Sequence, residues 1–362
     1  MNGVLIIDKS PGLTSHDVVN RVRRILGQRS VGHLGTLDPM ATGVLPLVTG
    51  SYTRLAQFYL SSEKTYEGTV RFGFSTDTYD AEGDPTSAPQ RVSLNQEEIE
   101  VLAEKFRGII EQTPPPFSAK KIKGLPAYKL ARKQKPIVLE PVQVEIKEFE
   151  ILAVEADRVE FRARVASGTY MRSVAHDMGQ AFGCGAHLQS LRRTSVAEFT
   201  LADAHTLDEL AAAAGKSSGA RTPLPAIGEG QAGNLPETAL DDLSRGAAED
   251  CFLPPEPRER ANPRGSRDGS APVAHSTGQT LFDAFFIHPR KLLPQFPSVT
   301  ADEPTTARIR SGRPVNLPEL TRARQVKVFT GQRELIAIAT RVAGTLFHAR
   351  IVLCATDTPI RS

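Results

Sequence analysis

Residues 32–50 read Gly-His-Leu-Gly-Thr-Leu-Asp-Pro-Met-Ala-Thr-Gly-Val-Leu-Pro-Leu-Val-Thr-Gly. The stretch holds a single carboxylate, Asp38, in a loop dense in Gly, Thr and Pro, and the apolar run Val44–Val48 follows at once. Gly32, Gly35 and Gly43 permit tight or left-handed backbone, while Pro39 removes a donor and biases Asp38 away from helix. A lone carboxylate on a stiff loop with a strand behind it is the arrangement a positioned nucleophile or base requires. The same residues also suit a structural Asx-turn, in which Asp38 only accepts nearby amides. Spacing alone leaves both readings open.

Working outward, Val4–Ile7 reads as a buried strand. Ser15 is expected to cap a helix from His16 to Leu26, with Val18, Val19, Val22, Ile25 and Leu26 on one face and Gly27 as its stop. Beyond the Asp38 loop, Val44–Val48 reads as a strand, Tyr52–Leu60 as a short helix and Tyr66–Phe74 as a strand. Thr76–Pro85 is an acidic, turn-rich loop, and Glu97–Phe106 a helix. A basic segment with a short helix around Tyr128–Arg132 comes next. Val142–Val154 and Arg158–Ala166 alternate as a hairpin. Thr169–Phe182 is amphipathic and helical, and Leu188–Val196 reads as a strand. Strands and helices mix without regular βαβ alternation, so the expected class is α+β with a largely antiparallel mixed sheet.

The segment Gly32–Gly50 resembles the catalytic segment of the TruB family, the bacterial tRNA pseudouridine-55 synthases. Further blocks agree in the family's order. They are Gly3–Lys9 with Pro11–Ser15, Lys64–Tyr66, Thr76–Asp84, Ser118–Gly124, Tyr128–Arg132, Ser167–Arg172 and Gly183–Arg193. The match covers residues 2–210. It implies the pseudouridine-synthase fold, with residues 1–210 as catalytic domain and a small C-terminal β-barrel, PUA-like and RNA-binding, at 286–355. The implied reaction isomerises uridine 55 in the T loop of tRNA after flipping the base, breaking the N1–C1′ bond and forming C5–C1′. One ionised carboxylate can do the difficult part, by covalent capture or by taking a ribose proton. No cofactor and no metal are implied, and the partner is the tRNA T arm.

The resemblance assigns roles residue by residue. Asp38 is the catalytic carboxylate. Arg172 matches the arginine that pairs with it, since an anion in a pocket that excludes water needs a positive partner. Tyr66 matches the tyrosine that stacks on the target base and helps move the C5 proton. Tyr170 packs beside Arg172, Leu191 is an apolar pocket wall, and His33 fills the gap left by the flipped base. Lys9 contacts phosphate or orders the loop, and Lys121 contacts the RNA backbone. Phe117 departs from the family, where many relatives carry tyrosine. Two other readings carry weight: a catalytically silent tRNA binder on the same fold, and a glycosidase-like hydrolase, which typically needs two carboxylates where this loop has one.

The 362 residues carry a net charge of only +3, so the chain is not a generally basic nucleic-acid coat. The distribution is uneven: residues 286–362 hold 12 Lys/Arg against 5 Asp/Glu, and residues 113–138 hold no acid at all. Both fit a polyanion footprint. The tail is therefore expected to supply salt-sensitive affinity, and a chain ended near Leu210 to keep its chemistry if it folds. Residues 211–285, rich in Ala, Gly, Ser, Pro and Arg, read as a disordered linker or insertion, longer than the family's usual connection. Cys184, Cys251 and Cys354 lie too far apart in sequence to suggest a disulfide framework or metal knuckle. No apolar run approaches the length of a membrane span. A cytoplasmic monomer without membrane contact is expected. Phosphate-loop, dinucleotide and metalloprotease spacings are absent.

Overall fold

The computed structural model describes residues 1–117, 121–122, 125–126, 139–217, 282–318 and 322–353, the side chains of 121–122, 125–126 and 216–217 excepted. A nine-stranded sheet dominates. Its strands are β1 (Gly3–Lys9), β2 (Val31–His33), β3 (Thr42–Thr49), β4 (Lys64–Phe72), β5 (Gly108–Gln112), β8 (Val142–Glu155), β9 (Arg158–Val165), β10 (Ala186–Val196) and β11 (Phe199–Thr200), with a separate two-stranded piece, β6 (Lys121–Ile122) and β7 (Leu125–Pro126). The order is β1-β3-β10-β4-β9-β8-β5, with β2 on β3 and β11 on β10. Every pairing is antiparallel except β3 with β10, where Arg192 and Arg193 lie beside Thr42 and Gly43. That parallel contact needs a close approach. Gly43 sits at φ +98, and a Cβ there would stand 2.2 Å from the Arg193 carbonyl oxygen.

Helix α1 (Ser15–Leu26) buries Val18, Val19 and Val22, as the spacing predicts, and ends on left-handed Gly27. Its cap is Thr14, one residue before the expected Ser15. Thr14 and Asp17 form a reciprocal capping box. Ser15 is drawn inward instead, its hydroxyl accepting from the Leu37 amide at 2.8 Å and donating to the Leu37 carbonyl at 3.1 Å. The expected helix at Tyr52–Leu60 is a 3₁₀ helix, Gly50–Phe58. Helices α2 (Gln96–Glu104) and α3 (Met171–Phe182) form close to their expected places.

A second, curled half-barrel sheet is ordered β12 (Ser298–Thr300), β14 (Gln325–Thr330), β15 (Glu334–Ala343), β16 (Leu346–Val352) and β13 (Val315–Asn316). The stretch Ala307–Pro314 reads as a strand in the sequence, but Glu303–Arg310 is helical. Asp302 caps its first turn through the Thr305 amide at 2.9 Å, and Pro304 sits where a helix start tolerates it. The apolar core does not stop between the sheets. Val4, Ile6, Leu34, Val44, Tyr52 and Tyr59 share one cluster with Leu293, Phe329, Leu335, Ile338, Ile351 and Leu353. The expected helix at Tyr128–Arg132 and most of the expected linker at 211–285 lie outside the described residues.

Candidate active site

The loop between β2 and β3 is fixed carbonyl by carbonyl. Arg193, fully buried on β10, donates through Nη2 to the Gly35 carbonyl at 3.0 Å, through Nη1 to Thr36 at 3.2 Å and through Nε to Val44 at 2.8 Å. Ser15 holds Leu37 at both its amide and its carbonyl. Lys9, also fully buried, donates to the carbonyls of Pro39 at 3.0 Å, Leu13 at 2.7 Å and Ser10 at 3.0 Å. Three side chains from three elements thus fix the backbone on both sides of Asp38. A carboxylate on such a loop is held before any ligand arrives, and that preorganisation is what electrostatic or nucleophilic catalysis requires.

Asp38 faces Arg172, the second residue of α3. Arg172 Nη2 donates to Asp38 Oδ1 at 3.1 Å, and Nε stands 2.9 Å from Oδ2 without pointing its hydrogen at it. The side chain of Arg172 is 5% exposed, that of Asp38 37%. The guanidinium is therefore the anchor and the carboxylate the accessible partner. Arg172 also donates through Nη1 to the Thr78 carbonyl at 3.2 Å and through Nη2 to the Phe117 carbonyl at 3.1 Å. A second, buried carboxylate, Asp80, lies 3.7 Å from Nε. A buried guanidinium with so many acceptors has little freedom to swing, so it orients the Asp38 oxygens as well as neutralising them.

Tyr66 is buried on β4 and pairs across the sheet with Arg193. Leu191, 8% exposed, lies two residues before Arg193 on β10, opposite Gly68. Strand alternation puts the side chains of Tyr66, Leu191 and Arg193 on one sheet face, the face from which Arg193 reaches the Asp38 loop. Tyr170 precedes α3, its amide donating to Gln112 Oε1 at 2.8 Å and its carbonyl accepting from Gln112 Nε2 at 3.1 Å. His33 ends β2. Its Nδ1 accepts from the Gly35 amide at 3.4 Å, which leaves the proton on Nε2. Burial first, then the positive charges of Arg193 and His16, push its pKa down to about 4, so the ring is neutral at physiological pH. Burial likewise lowers Lys9 to about 8. Every ammonium proton of Lys9 finds a carbonyl inside the protein, which makes it a clamp on the loop. Lys64, beside the Gly35 turn, also falls to about 8, through burial and then the charge of Arg193. The side chain of Lys121 lies outside the described residues.

Sequence reasoning missed the duties of Arg193, Ser15 and Asp80. Each lies inside a block that carries the resemblance, but a buried arginine and a surface one look alike in a sequence. Among the described residues no group of His, Cys, Asp and Glu is placed to hold a metal ion, and no helix is long and apolar enough to cross a membrane.

Comparison with solved structures places this architecture. The chain superimposes on one from a Cbf5-Nop10-Gar1 complex with a TM-score of 0.60 at 23% identity, covering 98% of this chain and 86% of that one. A chain of an H/ACA ribonucleoprotein bound to a substrate RNA containing 2'-deoxyuridine gives 0.59 at 22% identity, covering 98% and 86%. The fold is that of the pseudouridine synthases. The family model described as TruB family pseudouridylate synthase (N terminal domain) matches residues 23–171, and that of the tRNA pseudouridylate synthase B C-terminal domain matches residues 172–227. The tRNA pseudouridine synthase B of Solibacter usitatus is 43% identical over 98% of this chain and the whole of that one. Those of Opitutus terrae and Aquifex aeolicus are each 45% identical, over 59% and 58% of this chain and 88% and 73% of theirs. The chain belongs to the TruB family of pseudouridylate synthases, and it is an enzyme of that class.

Proposed function

We propose that this chain isomerises uridine 55 in the T loop of tRNA to pseudouridine, in the cytoplasm. The observation that carries the reading is the contact between Asp38 and the buried Arg172 on a loop pinned by Lys9, Ser15 and Arg193. The target base leaves the RNA stack and enters the site. Tyr66 supplies a flat face for it and Leu191 an apolar wall, while His33 occupies the space the base vacates. Asp38 then acts on the flipped nucleotide, as nucleophile or as base towards the ribose. The N1–C1′ bond breaks, the uracil turns, and C5–C1′ forms. The proton on C5 is lost and one is gained at N1, so the nucleoside keeps its composition and no redox partner enters. Tyr66, whose phenol lies on the same face, assists the C5 proton. Arg172 keeps the Asp38 oxygens aimed through these steps, and Tyr170 braces the start of its helix.

The names of the curated relatives support tRNA as the substrate, and the T loop follows from the sequence resemblance. The test is a T-arm transcript incubated with the purified chain, with pseudouridine mapped at single-nucleotide resolution. Conversion confined to position 55 is the expected result. Binding without conversion would leave the chain a silent tRNA binder, and conversion at another uridine would reassign the substrate.

A further inference from the structure

Tyr79 occupies the left-handed region at φ +66. Glycine and asparagine accept that backbone readily, and a bulky aromatic residue rarely does. Strain of this kind persists where the surroundings hold it, commonly beside a functional site. Here the surroundings can be named. The Leu188 amide donates to the Tyr79 carbonyl at 3.0 Å, and the Ala81 amide donates to the Leu188 carbonyl at 3.0 Å, which lays the loop along β10. Thr78 Oγ1 donates to Asp80 Oδ1 at 2.6 Å and closes the turn from inside. The Tyr79 ring then stacks on His176, with centroids 3.8 Å apart and planes inclined by 13°.

His176 stands four residues after Arg172 on α3, so the two side chains share one face of the helix, a turn apart. The loop grips both. Thr78 offers its carbonyl to Arg172 at 3.2 Å and Asp80 its carboxylate at 3.7 Å, while Tyr79, the residue between them, grips His176. The Nδ1 of His176 is buried and has no hydrogen-bond partner among the described residues. What the imidazole offers the loop is its flat face, against Tyr79.

We infer that the Tyr79–His176 stack is a positioning clamp for the reaction: it locks the 78–80 loop onto α3 in the one register that aims Arg172 at Asp38. The strained φ of Tyr79 is the cost of directing its ring onto the helix while the Thr78 carbonyl still faces the guanidinium. Neither ring touches the reacting atoms in this proposal. It rests on the reading of Asp38 and Arg172 as the catalytic pair.

Four variants test it, with single-turnover conversion at saturating T-arm RNA and RNA affinity measured separately. Y79G removes the ring at a position where glycine takes the backbone freely, so the fold is kept, and H176A removes the other half of the stack. Y79F and H176F keep two flat faces in contact. The clamp predicts a rate loss of about tenfold or more in Y79G and H176A with RNA affinity within about twofold of wild type, and near-normal rates in Y79F and H176F. A wild-type rate in Y79G overturns it, as does equal damage in the ring-keeping and ring-less variants. Wild-type protein assayed alongside separates the two levels. Failure of the wild type to convert the RNA removes the reading of the site, whereas normal conversion by wild type and Y79G alike removes the clamp alone.

Discussion

The Nζ of Lys9 lies 3.0 Å from the carbonyl oxygen of Pro39, so a buried cation from the first strand closes the loop one residue beyond Asp38. Replacing Lys9 with Met keeps the stem and leaves the carbonyls of Ser10, Leu13 and Pro39 without their donor. A buried group deprived of its partner costs about 1–3 kcal/mol. K9M is expected to lower the urea midpoint by the equivalent of about 2 kcal/mol or more and to slow turnover beyond that. An unchanged midpoint with normal turnover would mean the loop is held by Ser15 and Arg193 alone.

Asp38→Asn preserves shape and one acceptor oxygen towards Arg172 but removes the anion. Loss of a nucleophile or base costs orders of magnitude in rate, whereas one lost binding contact costs about tenfold per 1.4 kcal/mol. Turnover should vanish while tRNA affinity persists. Single-turnover assays with a filter-binding control read both, and near-normal turnover would reject Asp38 as the catalyst.

Tyr66 separates stacking from proton transfer. Phe retains the face and loses the hydroxyl, whereas Ala loses both. If the phenol assists the C5 proton, Tyr66→Phe and Tyr66→Ala both fail in single-turnover conversion, and that is the expected outcome. An active Phe variant would leave Tyr66 as a stacking surface only.

His33 gives the fold an acid sensitivity. Its pKa is about 4 in the folded chain against 6.5 ordinarily, so between those values the unfolded chain binds the proton more tightly. Stability is therefore full above pH 6.5 and is lost as the pH falls towards 4, by at most about 3 kcal/mol from this group. His33→Gln should flatten the difference in urea midpoint between pH 7 and pH 4.5. An identical acid slope in both proteins would place the sensitivity elsewhere.

How much of this was legible in the sequence differs from residue to residue. The Asp38 loop was legible because Gly, Thr and Pro leave a local signature, and Val18, Val19 and Val22 because a helix face repeats. By type Ser15 is as good a cap as Thr14, and only its bond to Leu37 takes it out of that role. Ala307–Pro314 reads as a strand, although Ala307–Arg310 is the end of a helix, because that helix buries only Ile309 and Thr306, too little to show a period. Arg193 escaped because its duty is set by carbonyls more than a hundred and forty residues away in sequence.

The apolar cluster shared by the two sheets has a consequence for how the enzyme is born. Leu34 and Val44, which bracket the Asp38 loop, lean on a cluster completed by Leu293, Phe329, Leu335, Ile351 and Leu353. A ribosome adding about 5–20 residues per second delivers those partners on the order of fifteen seconds to a minute after the loop itself. Throughout that interval the nascent chain carries every residue of the Asp38 loop without the C-terminal part of the buttress behind it. A chain stopped near Leu210 would keep Leu34, Val44 and Tyr59 packed against Val4, Ile6 and Phe199 but would lack the rest of the cluster. The later strands thus complete the packing behind a loop whose backbone Lys9, Ser15 and Arg193 already hold.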